Sequence, residues 1–452
     1  MTTPSADPPP AAAERLGRAL TARSARVGII GLGYVGLPLG LAFAEAGFPV
    51  LGFDIDARKV EALTAGRSYI DHLGAERVAR QVEAGGFEAT CDFDRLGEAD
   101  AILICVPTPL GAHREPNLSY VEATARQIAP RLRSGHLVIL ESTTYPGTTD
   151  ELLRPLLEAE AAPRGLTFGR EIFLAFSPER EDPGNPSFGT TQIPKVVGGL
   201  DPVSGDLAEQ LYAGVIDQVV RVSSPRVAEA SKLTENIFRA VNIALVNELK
   251  TVYDAMGIDV WEVLDAAATK PFGFMRFTPG PGWGGHCIPV DPFYLTWKAT
   301  EYGRRARFIE LAGEVNVEMP RWVLGKLQTA LNDAGKPLRG SKILVVGLAY
   351  KRDIADPRES PAFEILDLLL EHGADVSYHD PHIPEAPAMR TWPDLPPLRS
   401  VPLDESVVVA QDAVVIVTDH SSVDYAALAR SARLVVDTRG MYRDGGDNIV
   451  RA

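Results

Sequence analysis

The sequence predicts an α/β protein, with two sections of alternating strand and helix and a helical section between them. Three observations carry this. Short apolar runs bounded by glycine and turn residues alternate with helix-period stretches from Val27 to about Glu179. From about Val227 apolar residues recur at helical spacing over a long span. From Ser341 the strand–helix alternation returns.

In the first section, "ARVGIIGLGYVGLPLGLAFAEAGFPVLGFDID" reads as strand, tight turn, helix and second strand. "ADAILICVPTP", "HLVILESTTYPGTT" and "EIFLAFSPER" supply further strands, the middle one running into a loop that opens a helix near Asp150. Such alternation implies a parallel sheet. The middle section, "VAEASKLTENIFRAVNIALVNELKTVYDAMGID", is too long for an ordinary crossover helix. Pro225 suits its first turn, Ser224 its cap and Gly257 its stop. "DVWEVLDAAATK" continues the helical character. In the last section "SKILVVGLAYKRD", "FEILDLLLEHGADVSYHDP", "DAVVIVTDH" and "RLVVDTRGM" carry strands. Its first glycine turn echoes "VGIIGLGYVG" but lacks the glycine series and offers Lys351 and Arg352 instead. The chain thus divides into an arm over 1–24, an α/β domain over 25–222, a helical middle over 223–332 and a second α/β domain over 333–452. The arm, rich in Pro and Ala and without the apolar core of a signal peptide, reads as mobile.

The bulk numbers agree. A chain of 452 residues spans two to four domains of ordinary size. Hydrophobic residues at 45% and charged residues at 23% are ordinary for a soluble globular protein. A net charge of -15 argues against wholesale binding to nucleic-acid phosphates. Three cysteines at distant positions make neither a disulfide framework nor a zinc knuckle, and they fit a reducing cytoplasm. No apolar run reaches membrane-spanning length, and Glu45 interrupts the nearest.

Gly31, Gly33 and Gly36 form G-x-G-x-x-G between a strand and a helix. Gly31 permits the tight turn, Gly33 lets the backbone approach a pyrophosphate, and Gly36 allows close helix–strand packing. The helix N-terminus then faces the phosphates. Asp54 ends the second strand, where a ribose 2′-hydroxyl needs an acceptor. It favours NAD over NADP, a preference that Arg58 and Lys59 temper. The context marks a Rossmann-like dinucleotide site, and a nicotinamide cofactor implies hydride transfer.

Cys287 stands in "GWGGHCIPVDP", where no regular element would form. Cys105, inside an apolar run, and Cys91, in "ATCDF", read as small apolar residues. Glycines before Cys287 allow close approach of the backbone to a ligand, and Asp291 lies four residues on. A nucleophilic thiol and a structural cysteine both fit this spacing. Zinc held by His286, Cys287 and Asp291 fits less well, because adjacent His and Cys do not easily share one ion. A thiol beside NAD suits one chemistry. The thiolate adds to an aldehyde, hydride loss leaves a thioester, and water releases a carboxylic acid.

The segments "VGIIGLGYVGL", "VPTP", "ESTTYPGTT", "FSPER", "GWGGHCIPVDP" and "GLAYKRDIADPRESP" resemble, in order, the motifs of the UDP-glucose/GDP-mannose dehydrogenase family, from about Val27 to about Arg443. The resemblance implies two Rossmann-like domains joined by a long central helix, and a homodimer formed through the helical middle or a higher homo-oligomer. It implies NAD-dependent oxidation of a nucleotide sugar's C6 alcohol to a carboxylate through a cysteine thioester, with two NAD consumed. By position it makes Cys287 the nucleophile and matches Lys232 and Asn236 to the pair on the central helix, where their i, i+4 spacing shares one face. It matches Asp291 to the neighbouring aspartate, Glu179 to the residue handling water during thioester hydrolysis, and Thr108 to a threonine near cofactor and water. Around the cofactor it places Tyr34, Val35, Lys59, Pro107, Glu141, Thr143 and Arg358. On the substrate side it places Arg180, Gly284, Lys351, Arg352, Arg439 and, as a candidate, Arg276. Two departures stand out. Arg352 occupies a position where many members carry lysine, and Pro183 stands where the UDP-glucose enzymes carry a second acidic residue. "FSPEREDPGN" and "ATKPFGFMRFTPGPGWGGHCIPVDP" look closer to the branch acting on UDP-N-acetylhexosamines. UDP-N-acetylglucosamine is therefore the expected substrate, with UDP-N-acetylmannosamine and then UDP-glucose as alternatives. Two competing readings are a two-electron hydroxyacid-type dehydrogenase, which has no use for Cys287, and a non-catalytic NAD-binding protein.

Overall fold

The apolar runs of the amino-terminal half become strands of one eight-stranded sheet: β1 (Val27–Ile30), β2 (Val50–Phe53), β3 (Phe87–Thr90), β4 (Ala101–Ile104), β5 (Leu137–Leu140), β6 (Phe173–Phe176), β7 (Lys195–Gly199) and β8 (Val219–Val222). The computed structural model describes residues 10–70, 73–111, 114–180, 191–389 and 391–452. These form two units, one of residues up to 235 with 300–302, the other of 236–299 and 303–452. Pro183 lies outside the described residues.

In the first unit the strand order is β3-β2-β1-β4-β5-β6-β7-β8. The central strands are buried on both faces, so their sequences read as continuous apolar runs rather than alternations. Val27, Ile29 and Leu103 face one core, while Ile30, Ile102 and Ile104 face the other. The expected parallel sheet needs one correction: β7 runs antiparallel to β6, pairing Gly199 with Ala175. Parallel neighbours need a crossover element, and none forms between these two among the described residues. The edge strands β3 and β8 are only partly buried, so they carry no long apolar run that would announce them.

The arm is a second correction. Residues Ala11–Thr21 form a helix with Ala12, Ala13, Leu16 and Leu20 buried in the first core. Gln210, from the helix Pro202–Ala213, donates to the Gly17 carbonyl at 2.9 Å and to Thr21 Oγ1 at 2.7 Å. Alanine and leucine at i, i+3 and i+4 make an amphipathic stripe, and burying it outweighs the mobility that Pro-rich composition suggests.

The central helix, Pro225–Ala255, starts in the first unit and continues in the second. Ser224 Oγ accepts from the Val227 N–H at 3.4 Å, and Gly257 at φ 71° ends the run. The second unit holds a parallel sheet of β9 (Lys342–Val346), β10 (Asp375–His379), β11 (Ala413–Ile416), β12 (Val435–Asp437) and β13 (Ile449–Arg451), in the order β10-β9-β11-β12-β13. Val323, Leu327 and Leu331 of the helix Arg307–Asp333 pack with Phe363 and Leu366 over it. Further up the same helix, Asn316 accepts from Asn247 Nδ2 at 2.8 Å and so is tied to the central helix.

The two glycine turns are built alike. Gly31 and Gly347 take φ 93° and 92°. Leu32 N–H donates to Asp54 at 2.9 Å, and Leu348 and Ala349 N–H donate to Asp380 at 2.6 and 2.9 Å.

Because Leu16 is buried, Leu16→Ala should lower the unfolding free energy by about 2–5 kcal/mol and open Arg15 and Arg18 to trypsin. A mobile arm would leave urea unfolding unchanged and the wild-type chain cleaved at once.

Candidate active site

The dinucleotide turn is shaped by close approach. A Cβ on Gly31 would lie 2.5 Å from the Cys105 carbonyl oxygen, and one on Gly36 would lie 1.9 Å from the Gly31 carbonyl oxygen. Only glycine fits at either position. Gly33 has nothing within 4 Å of where its Cβ would be, so its backbone borders open space at the head of the helix Gly36–Glu45. Val35 precedes that helix without a side-chain cap, and Tyr34 is exposed. Asp54 is buried and accepts from Leu32 N–H and from Lys59 Nζ at 3.0 Å. Lys59 therefore belongs to the same site as Asp54. An open backbone cradle at a helix N-terminus, beside an anchored acidic residue, fits a dinucleotide's pyrophosphate and ribose.

The ends of β4, β5 and β6 bring the next group together. Thr108 is buried and its hydroxyl donates to the Thr143 carbonyl at 2.7 Å, while Pro107 is exposed. Glu141, expected beside the nicotinamide, is itself buried. One oxygen accepts from Lys195 Nζ at 2.7 Å and the other from the Tyr212 hydroxyl. Burial pushes Glu141 up to about 7, against the pull of Lys195. Glu179 accepts from Lys195 at 3.2 Å and from the Arg180 N–H at 2.6 Å. Arg180 itself pairs with Glu235 at 2.7 Å. Lys195 and Glu229 are the residues that sequence reasoning missed. Glu229, in the first turns of the central helix, accepts from Gly147 N–H at 2.6 Å, Thr149 N–H at 2.9 Å and the Thr149 hydroxyl at 2.7 Å. It thereby holds the loop that carries Thr143. The available signal was an ionisable residue on an otherwise apolar face or strand, since such residues are rarely buried unpaired.

In the second unit Cys287 is half-buried at the head of a turn. Its carbonyl accepts from Val290 N–H at 3.1 Å and Asp291 N–H at 2.8 Å, and Asp291 opens the helix Asp291–Glu301. Asp291 is buried and accepts from Asn236 Nδ2 at 2.5 Å. Lys232 is buried one helical turn before Asn236. The loop before the thiol is tied at three places. Gly280 donates to Asn247 Oδ1 at 2.9 Å, and its carbonyl accepts from Lys250 Nζ at 3.0 Å. Trp283 packs edge-on against Phe293. Gly285 N–H donates to the Arg358 carbonyl at 3.0 Å. The loop glycines were expected to give room to a ligand, but protein fills that room. A Cβ on Gly284 would lie 2.7 Å from Tyr350 Cβ, and one on Gly285 2.9 Å from the Tyr350 ring.

The remaining expected residues are spread over the second unit. Arg358 pairs with Asp356 at 2.6 Å. Arg352 Nε donates to the Asp419 carbonyl at 2.7 Å, next to Lys351 in the same turn. Arg439 Nε donates to the Val417 carbonyl at 2.6 Å, and its guanidinium packs over Gly280. Arg276 is exposed and pairs with Asp265 at 2.7 Å. Cys91 is exposed, against the expectation of a small apolar role, because β3 ends at the sheet edge just before it; Cys105 is buried as expected. Among the described residues, Asp353, His382 and His420 form one cluster of metal-ligand types. Both His420 nitrogens are already used, by the Asp353 N–H and by Asp380, each at 3.0 Å.

Burial, and then the Arg439 charge, push Lys250 down to about 7. Between that value and the ordinary lysine range the unfolded chain binds more protons than the folded one, so this residue adds stability as pH rises. The stability difference between wild type and Lys250→Met should therefore change in favour of wild type by up to about 1.4 kcal/mol per pH unit above pH 7. Urea unfolding of both proteins at pH 7, 8 and 9 checks this. A constant difference would show that Lys250 does not titrate there.

Three family models match the chain: the NAD binding domain of the UDP-glucose/GDP-mannose dehydrogenase family over residues 25–216, its central domain over 226–318 and its UDP binding domain over 344–444. The UDP-N-acetyl-D-mannosamine dehydrogenase of Escherichia coli K12 is 37% identical over 93% of this chain and 99% of its own. An NDP-N-acetyl-D-galactosaminuronic acid dehydrogenase of Ralstonia nicotianae is 36% identical over 92% and 96%. Among solved structures, the UDP-D-ManNAc dehydrogenase of Pyrococcus horikoshii superposes with a TM-score of 0.84 at 32% identity, covering 94% of this chain and 98% of that one. A UDP-glucose dehydrogenase from Pyrobaculum islandicum gives 0.80 at 30%, covering 92% and 94%. With a dinucleotide turn in the first unit and a pinned thiol in the second, the chain belongs to the UDP-glucose/GDP-mannose dehydrogenase family and is an NAD-dependent nucleotide-sugar oxidoreductase.

Proposed function

We propose that this chain oxidises the C6 hydroxyl of a UDP-N-acetylhexosamine to the carboxylate through a thioester on Cys287. The observation that carries the reading is the thiol's setting: a half-buried sulfur on a loop tied at three places, with the Asn236–Asp291 pair beside its turn. These ties fix the backbone that carries the thiol, as attack on a bound carbon requires.

The residues take the following parts. NAD, when bound at the Gly31–Gly36 turn, would accept a hydride in each of two oxidations, and in the first the C6 hydroxyl proton passes to water. Once C6 is an aldehyde, the Cys287 thiolate adds to it and a C–S bond forms. Lys232 and Asn236 stabilise the oxyanion at C6. Loss of the C6 hydride leaves a thioester. Glu179 takes a proton from water, the resulting hydroxide adds to the thioester carbon, and the C–S bond breaks to release the acid and the thiolate. Asp291, held by Asn236, orients the neighbourhood of the sulfur. Arg180, Lys351, Arg352, Arg358, Arg439 and Arg276 supply cationic partners for phosphates and sugar.

The sugar-class reading rests on two supports. The motifs around Glu179 and Cys287 favour the UDP-N-acetylhexosamine branch over the UDP-glucose branch. The names of two relatives carry N-acetylmannosamine and N-acetylgalactosaminuronic acid, and an acetamido group is common to all three. UDP-N-acetylglucosamine is accordingly the first substrate to test, then UDP-N-acetylmannosamine, then UDP-glucose. Among the described residues no helix is long and apolar enough to cross a membrane, and the three free cysteines favour a reducing cytoplasm as the setting of the reaction.

The enzyme works as a homodimer in this reading. Phe238, Leu245 and Val252 recur every seven residues on the central helix and are 48, 49 and 46% exposed. Seven residues return to nearly the same helix face, so they form one apolar stripe that a second copy can cover.

Two outcomes are expected. Purified protein should form two NADH per sugar nucleotide oxidised, and Cys287→Ala should bind NAD but make no acid; a ratio of one, or an active Ala variant, would remove the thioester from the mechanism. Leu245→Glu should convert a dimer to a monomer by light scattering, and a monomeric wild-type protein would refute the stripe's role.

A further inference from the structure

We infer that Lys195 is a positioning residue for the hydrolytic half of the reaction, its ammonium shared between Glu179 and Glu141 so that Glu179 stands ready as the base. The inference rests on the role of Glu179 proposed above.

Lys195 opens β7, the one strand antiparallel to its neighbour β6. That reversal brings the start of β7 back beside the segment following β6, where Glu179 lies. The lysine is only 4% exposed. Its Nζ donates to Glu141 at 2.7 Å and to Glu179 at 3.2 Å. The charged and titratable groups around it come from every strand end nearby. They are Cys105 after β4, Glu141 after β5, Glu179 after β6, and Tyr212 from the helix Pro202–Ala213, whose ring lies 5.3 Å from the ammonium. Burial works against the ammonium, but the two carboxylates outweigh it and hold it above the usual lysine range.

One carboxylate would neutralise one buried lysine. Lys195 has two, and they differ. Glu141 is fully enclosed, makes the shorter bond and is also held by Tyr212. Glu179 is less buried, makes the longer bond, and has its other oxygen against the Arg180 N–H. Glu141 thus anchors the ammonium, and the ammonium presents Glu179. Without the lysine the fully enclosed Glu141 would take up a proton, and Glu179 would lose the cation that favours its charged form. A protonated Glu179 cannot take the proton from water, so the thioester would persist on Cys287 until the pH rose.

Lys195→Met and Lys195→Arg in the full-length enzyme test this. Lys195→Met should still form the thioester but release the acid on the order of 10²-fold more slowly near pH 7. A sugar adduct on Cys287 should then accumulate in the intact-protein mass spectrum. The midpoint of the release rate against pH should rise by about one unit, and Lys195→Arg should recover most of the rate. If Lys195→Met does not fold because Glu141 is left buried without a cation, the pair Glu141→Gln with Lys195→Met, compared with Glu141→Gln alone, carries the same measurement. An unchanged release rate and midpoint would overturn the inference. Glu179→Gln separates the two claims. If it accumulates the adduct while the Lys195 variants behave as wild type, only the role of Lys195 falls. If it releases acid at the wild-type rate, the role of Glu179 falls and the inference with it.

Discussion

The segment leading to the thiol cannot hydrogen-bond itself into place. It has no ladder or helix of its own, so its backbone groups must find partners elsewhere or lose free energy in a buried setting. At Gly280 both peptide groups are met by side chains of the central helix, the N–H by Asn247 and the carbonyl by Lys250. Asn247 is in turn held by Asn316, so the contact reaches the helix Arg307–Asp333. Downstream, Gly285 uses the backbone of Arg358. The position of Cys287 is therefore set by two helices and by the segment after β9. A nucleophile needs its attacking atom held within a narrow range, and these bonds hold the backbone on the approach to it.

Burying Lys250 to make this clamp is costly, because a charged ammonium loses its water. The compensation visible in the structure is partial: a carbonyl at 3.0 Å and the face of Trp322 at 4.6 Å, but among the described residues no carboxylate in hydrogen-bond contact. The contrast with Lys195 is instructive. There two carboxylates reverse the effect of burial, and the ammonium is stabilised rather than weakened. Two lysines of similar exposure thus serve differently. One is a neutral-leaning tether for a loop, and the other is a permanent positive charge between two acids.

Much of the architecture was legible from periodicity. The central strands, the glycine turn and the central helix follow from apolar runs and spacing, because elements buried on both faces cannot hide their composition. The edge strands β3, β8 and β13 escaped because they are short, only partly buried and each carry a charged residue, and the buried β7 escaped because a lysine opens it and two glycines close it. The helix Ala11–Thr21 escaped because its proline-rich flank suggested a tail, although its leucine and alanine stripe was present. In the site, motifs single out Cys287, Asp291 and Asn236, and the structure brings the last two together. Lys195 and Glu229 were not, since their partners lie 54 and 82 residues away in sequence and only the fold brings them together. The loop glycines were assigned to a ligand for the same reason: Tyr350, which takes their room, is far away in the chain.

The two glycine turns explain how one architecture can serve two different ligands. Both place an acidic residue at the end of the second strand, and both aim backbone N–H groups at it. In the first turn a flexible lysine, Lys59, is the cation on Asp54, and Gly33 leaves the adjoining space open. In the second, Asp380 is covered by the fully buried His420, and hydrogen bonds with His382 and Ile383 occupy its other oxygen. A ribose hydroxyl approaching Asp380 would have to displace a histidine that is itself hydrogen-bonded on both nitrogens. Closing that carboxylate removes the acceptor a second dinucleotide would need. The ligand of the second domain must then be gripped elsewhere, and the cations Lys351, Arg352 and Arg439 in its strand-end loops are suited to phosphate rather than to ribose.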